Sequence, residues 1–217
     1  MGRPLIPRAY RDGATHRMEW LRMTRFIQKA GTRYPDVPGP EQYAEWLFLM
    51  QHHRLPTRLL DWTESPLIAS LFAVIADNEQ DGCLWALSPY ELNSHQEMGI
   101  LPGHGLIHPD TIPVMFEIPF KEQEFQDPPY NRIVAILTKE SNIRMLQQQS
   151  VFTLHGGKDP LDQVTERDNF LRCFRIPLSA KNLVYKDLLR LGIRESSLFP
   201  DLDHLAADIC RTIGPTT

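Results

Sequence analysis

Eighteen prolines against twelve glycines, spread along 217 residues, restrict this chain more than any other feature. Proline fixes φ and donates to neither a helix interior nor a strand ladder, so it ends elements early and joins them through stiff turns. Many short elements should follow. Arg3-Pro4-Leu5-Ile6-Pro7 opens the chain in a non-helical form. From Thr15, Trp20, Met23, Phe26, Ile27 and Ala30 recur at three-to-four spacing before Gly31, which predicts an amphipathic helix over 15–30. Tyr43, Trp46, Leu47, Leu49 and Met50 mark a second helix ending near His53, and Pro56 blocks its continuation. Ser65-Pro66 supplies an N-cap and a first helical proline. Behind it Leu67, Ala69, Leu71, Phe72, Ala73 and Ile75 make a helix apolar on nearly every side, hence buried.

Apolar runs predict strands over 82–87, 114–118, 132–137, 151–155 and 170–176. Helices are expected over 140–149, 181–191 and 201–213, whereas Asn93 to Pro113 reads as irregular. With no repeat, low-complexity tract or linker, residues 1–217 read as a single compact α+β domain, its helices packed on a small mixed sheet. The composition, 42% hydrophobic and 23% charged, excludes disorder over the whole chain. Lys+Arg of 23 against Asp+Glu of 27 gives a net charge of −4, so no bulk positive field holds nucleic acid or an anionic membrane. A local basic groove stays open as an expectation. Cys83, Cys173 and Cys210 are too few and too scattered for a disulfide framework, which fits a reducing cytoplasm. The N-terminus has no continuous apolar segment and no stretch has the length to cross a bilayer, so a cytoplasmic protein without a membrane partner is expected.

The densest polar cluster within apolar surroundings is Gln51-His52-His53-Arg54-Leu55-Pro56-Thr57-Arg58-Leu59-Leu60-Asp61-Trp62-Thr63-Glu64-Ser65-Pro66. It ends at a helix N-terminus, whose free N–H groups and dipole favour an anion such as phosphate. On the bland reading Ser65 caps the helix, Asp61 pairs with Arg58 and Trp62 fills core. On the functional one, Arg58, Trp62 and Ser65 contact a nucleotide, with His52 as a base near neutral pH. Gly103, Gly105 and Pro109 place His104-x₃-His108 in a loop without an evident third ligand, so no metal is assigned. The P-loop, Gly-x-Gly-x-x-Gly and Gly-x-Ser-x-Gly patterns are missing, which lowers the prior for NTPase, Rossmann and α/β-hydrolase chemistry.

The block Gln51 to Thr63 closely resembles the core motif of the FRG domain, a bacterial family that commonly reads QH-[YH]-G-LPTRLLDWT-x-SP-L-x-A-L-x-FA; Arg54 stands where glycine is usual. Leu5-Ile6-Pro7-Arg8-Ala9-Tyr10-Arg11 is similar to its LxPSLYR segment, Arg144 to Phe152 to its R-x₃-QxG-x-F segment with Ser150 for glycine, and Ser196 to Asp203 to its SxLFPDLDG signature. The (F/Y)RG motif is missing from the chain, and its expected place lies upstream of Met1. The order of motifs is in turn similar to that of Arg-Ser-Glu ADP-ribosyltransferases. That comparison implies NAD as a substrate, with no tightly bound cofactor, in a phage-defence or toxin-like setting. It places Asp61, Thr63 and Gln148 beside His52 in the chemistry, and Arg58, Trp62, Ser65 and Phe152 on the nucleotide. Glutamate is missing from the third position, where Gln148 or Gln149 stands, and Glu140 comes too early. The resemblance thus implies a small-nucleotide ligand and leaves any protein or nucleic-acid target open. The competing reading is a non-catalytic sensing or interaction module with the motif as its structural core. Asp61, Thr63 and Gln148 lining one cleft would favour the first reading.

Overall fold

The computed structural model of the chain describes residues 4–11, 15–76, 79–98, 105–117, 130–138 and 143–213. Thr15 caps α1 (His16–Ala30), its hydroxyl accepting from the Met18 amide. This helix packs against α2 (Tyr43–His52). The proline-rich loop between them is fastened by Trp46, whose indole N–H donates to the Gly39 carbonyl at 2.9 Å. The face that α1 buries is His16, Glu19, Met23 and Ala30, whereas Trp20 is 38% exposed. Helical spacing alone favours the tryptophan, but Glu19 has a partner waiting inside the core.

β1 (Leu59–Thr63) leads through Ser65 into α3 (Pro66–Ile75), followed by β2 (Gly82–Leu87), α4 (Pro89–His95), β3 (Ile133–Ile136), α5 (Ile143–Gln147) and β4 (Ser150–His155). The chain then adds β5 (Leu171–Ile176), α6 (Leu178–Arg190), α7 (Glu195–Leu198) and α8 (Leu202–Thr212). The fold is α+β, but the single mixed sheet is corrected. Among the described residues the strands form two antiparallel sheets, β1-β4-β3 and β2-β5, with one isolated parallel bridge between Ile107 and Ile136. One core fills the space between α1, α2 and the larger sheet, with Leu47, Phe48, Met50, Leu59, Phe152 and Leu154 at its centre. A second lies between the two sheets, and a third beneath α3 and α6.

Several expectations fail for identifiable reasons. The strand proposed at 114–118 is instead a 3-10 turn at Pro113–Met115, because Pro113 supplies a helical start; Ile118 lies outside the described residues. Asn93 is not in a loop but in α4, which begins with the same Ser-Pro signal that starts α3. Its fully buried amide donates to the Gly105 and Ala135 carbonyls and accepts from the Ala135 amide, completing the edge of β3. Phe72 is only half-buried, against Phe199, while Leu71 is fully buried in α3. Cys83 and Cys173, expected to be unbridged, form a disulfide, since the β2–β5 register sets them diagonally opposite with Cα atoms 6.4 Å apart. Their sequence separation of 90 closes a long loop, a constraint that in the chain-entropy account stabilises by about 4–5 kcal/mol. Cys210 is free and exposed.

At the end of β4, Gly156 sits so tightly that a Cβ there would stand 1.5 Å from the Tyr130 carbonyl oxygen. Beside it His155 is fully buried, and burial pushes its imidazole down to about 3. Its Nε2 meets the Thr153 hydroxyl at 3.0 Å. Unfolded, this ring takes up a proton near 6.5, so between that pH and about 3 the folded state binds fewer protons. Stability should therefore fall with acidification through the window, by roughly 1.5–2 kcal/mol from this group between pH 6.5 and 5. Urea titrations at the two pH values check the loss, and His155 ring resonances that titrate near 6.5 would contradict its cause.

Candidate functional site

The end of α2 sets the geometry. After His53 the chain turns through Arg54 at φ 61, with the Arg54 amide donating to Gln51 and the Leu55 amide to Met50. This is a Schellman stop, whose left-handed position suits glycine, and it explains why a glycine is usual where Arg54 stands. Arg54→Gly should raise stability by about 1 kcal/mol, read from the urea midpoint.

The turn carries the chain into β1, the edge strand paired with β4 in the register Asp61 with Phe152 and Thr63 with Ser150. Alternation sends Leu59, Asp61 and Thr63 to one face of β1, and Leu60 and Trp62 to the other. Asp61 is thereby parted from Trp62, whereas Trp62, Thr63 and Phe152 all border one cavity between the two sheets. Arg58 leaves the list of ligand contacts altogether. It is fully buried, its Nε 3.5 Å from Glu19 Oε2, its amide donating to Glu19 Oε1, and its Nη2 donating to the Phe116 and Glu117 carbonyls. Nor does it pair with Asp61. Burial pushes the Glu19 carboxyl up, and Arg58 pulls it part of the way back.

Other members are held by neighbours. Trp62 donates from its indole to the Thr153 hydroxyl, and Thr63 donates to the Gln148 carbonyl. Gln148 gives its own amide to the Leu198 carbonyl at 2.9 Å. The Ser65 hydroxyl caps α3 by accepting from the Ile68 amide. Phe152 is core, 3% exposed and stacked on Phe48 with ring centres 5.5 Å apart.

Asp61 differs from these because its side chain remains open to solvent. Gln51, itself fixed by the Thr57 hydroxyl, donates to its Oδ2 at 2.8 Å. The surrounding protein nevertheless desolvates the carboxyl and pushes it up, while Gln51, Arg144 and Arg11 oppose that rise. Partial burial, followed by the positive fields of His53 and Arg144, holds His52 below the usual imidazole range. Arg144 is lowered first by desolvation and then by Arg54. Its guanidinium lies 5.0 Å over the ring of Phe199, which stacks on His204 with centres 4.5 Å apart, and His204 bonds to Asp201. Arg8 donates to the Arg54 carbonyl at the same turn.

Segments far apart in sequence thus gather here: 5–11 and 144–152 bring Arg11 and Arg144 toward Asp61 of 51–63, and 196–203 packs on Arg144 through Phe199. Residues 3–82 match the family model of the FRG domain. Over that stretch the chain is similar to the FRG domain. No curated protein and no solved structure matches it. The later two segments lie beyond the FRG match; the first brings Arg144 toward Asp61 and the second packs on Arg144. Arg144, Gln51 and Phe199 were not singled out from the sequence, although Gln51 opens the core motif and Arg144 the R-x₃-Q piece. His108 accepts from the Asp110 amide at the head of a 3-10 turn, and His104 and Glu140 lie outside the described residues. No helix among the described residues is long and apolar enough to cross a membrane.

Proposed function

We propose that the cluster around Asp61 binds a small phosphate-bearing nucleotide and that the FRG domain hydrolyses or transfers it at an N-glycosidic bond, with NAD as the substrate of best fit. The observation that carries this reading is the approach of Arg144 and Arg11 to one solvent-open carboxylate, with Arg54 beside Arg144, in a chain of net charge −4. Arg144 offers a planar fork for phosphate oxygens. Perturbed titration of Asp61, His52 and Arg144 together is characteristic of a site rather than of a solvated surface. In hydrolysis, nicotinamide leaves with the bonding electron pair, Asp61 supports the oxocarbenium-like carbon, and water attacks that carbon while His52 takes its proton. Asp61 here stands in for the glutamate of the ADP-ribosyltransferase pattern, since the Gln148 amide is directed at Leu198. Consumption of NAD suits a toxin-like or phage-defence role.

The interaction-module reading draws on a different observation, the internal bonding of Arg58, Trp62, Thr63 and Gln148. Nicotinamide release from NAD, followed with calorimetric titration, separates the two. Asp61→Asn should lower release by about 10²-fold or more, and Arg144→Ala should raise KM. Absence of both release and binding at millimolar NAD leaves the module reading in place.

A further inference from the structure

On the opposite face of β1, between the two sheets, lies a half-open cavity of about 330 Å³. Its walls include Trp62, Trp85, Leu106 and Val151, with Ala69 of α3 beside them and Glu64 at its polar edge. The volume falls at the lower end of the range for small-molecule pockets, about 300–1,000 Å³, and suits a single ring system rather than a whole dinucleotide.

The Trp62 indole and the Trp85 backbone are held independently of any ligand. The Trp62 indole N–H is bonded to Thr153, and Trp85 lies directly across the ladder from Cys173 of the disulfide. A cavity between walls held in this way is preformed, and indole faces favour planar rings in offset or edge contact. The Trp85 indole N–H has no acceptor among the described residues, so a ring nitrogen or carbonyl of a ligand would satisfy it. Glu64 supplies an acceptor for an exocyclic N–H. Among the described residues the lining holds no lysine or arginine to pair with phosphate.

We infer that this cavity is a binding site for an uncharged planar heteroaromatic ring bearing a hydrogen-bond acceptor and an N–H donor, of the class of adenine or nicotinamide. It is separate from the polar cluster on the other face of β1 and stands whether or not that cluster binds a nucleotide.

The test is titration of the full chain with adenine, nicotinamide and, as an aliphatic control, hexanol, followed by tryptophan fluorescence and by the indole N–H resonances of Trp62 and Trp85. Adenine or nicotinamide should bind saturably at millimolar concentration or below and shift both resonances, and inorganic phosphate should not compete. Trp85→Phe should weaken the heterocycle about threefold to tenfold while leaving the melting temperature little changed. Ala69→Phe, which fills the cavity, should weaken binding at least about tenfold; where it compromises folding, Ala69→Leu serves the same purpose. Three results would each overturn the assignment: no saturable heterocycle binding, equal affinity for hexanol, or binding insensitive to both Trp85→Phe and the cavity-filling variant. A failure of NAD release with heterocycle binding intact would count against the Asp61 reading alone.

Discussion

The Arg58→Met variant should unfold more easily than the native chain by about 3–5 kcal/mol. Methionine preserves much of the volume, so loss of packing is not the main cause. The cost comes from Glu19, whose buried carboxyl loses its nearest cation and must be neutralised or left with the weaker field of Arg22, and from the Phe116 and Glu117 carbonyls, which lose a charged donor. The structure places both side chains at 0% exposure, where water cannot replace the missing partner. Converting Glu19 to methionine in the same chain should recover much of the loss, because an apolar pair of similar volume often equals or exceeds a buried ion pair. Urea denaturation of the two single variants and the double variant measures this coupling. A single variant with native stability would show that the guanidinium is not part of the core.

Phe152→Ala should cost about 3–5 kcal/mol, through lost transfer energy and the cavity left behind. Its ring is stacked on Phe48, which in turn meets Phe116 edge-on at 6.2 Å. For a domain of this size the melting temperature should fall by roughly 6–20 °C. If Phe152 instead served a ligand from an open pocket, the variant would melt normally and lose only binding. The thermal scan therefore distinguishes the two roles without any substrate.

These two residues also show where the sequence was legible. The helices around Met23 and Leu47 and the strands at 82–87 and 151–155 follow from periodicity and caps, which act over a few neighbours. The Schellman turn could be anticipated from the glycine usual at position 54, but not its role in presenting Asp61. What failed depends on partners distant in the chain. Glu19 displaces Trp20 from the core only because Arg58 lies inside, and Cys83 meets Cys173 only because β2 pairs with β5. Likewise, the motif marked Asp61 as chemically important but gave no sign that Arg144 would stand near it. Strand alternation was readable from Leu59 to Thr63 and would have separated Asp61 from Trp62. Assigning Asp61 and Trp62 to one nucleotide site merged the two faces.

The Cys83–Cys173 bridge also fixes how the molecule responds to a cut chain. Its two ends flank Asn93, the whole of β3 and β4, and Arg144. A protease that severs one peptide bond anywhere within that span produces two polypeptides but not two molecules. Nicked protein would keep its original mobility on a denaturing gel without thiol and separate into fragments once the bridge is reduced. Covalent continuity here therefore does not require an unbroken main chain.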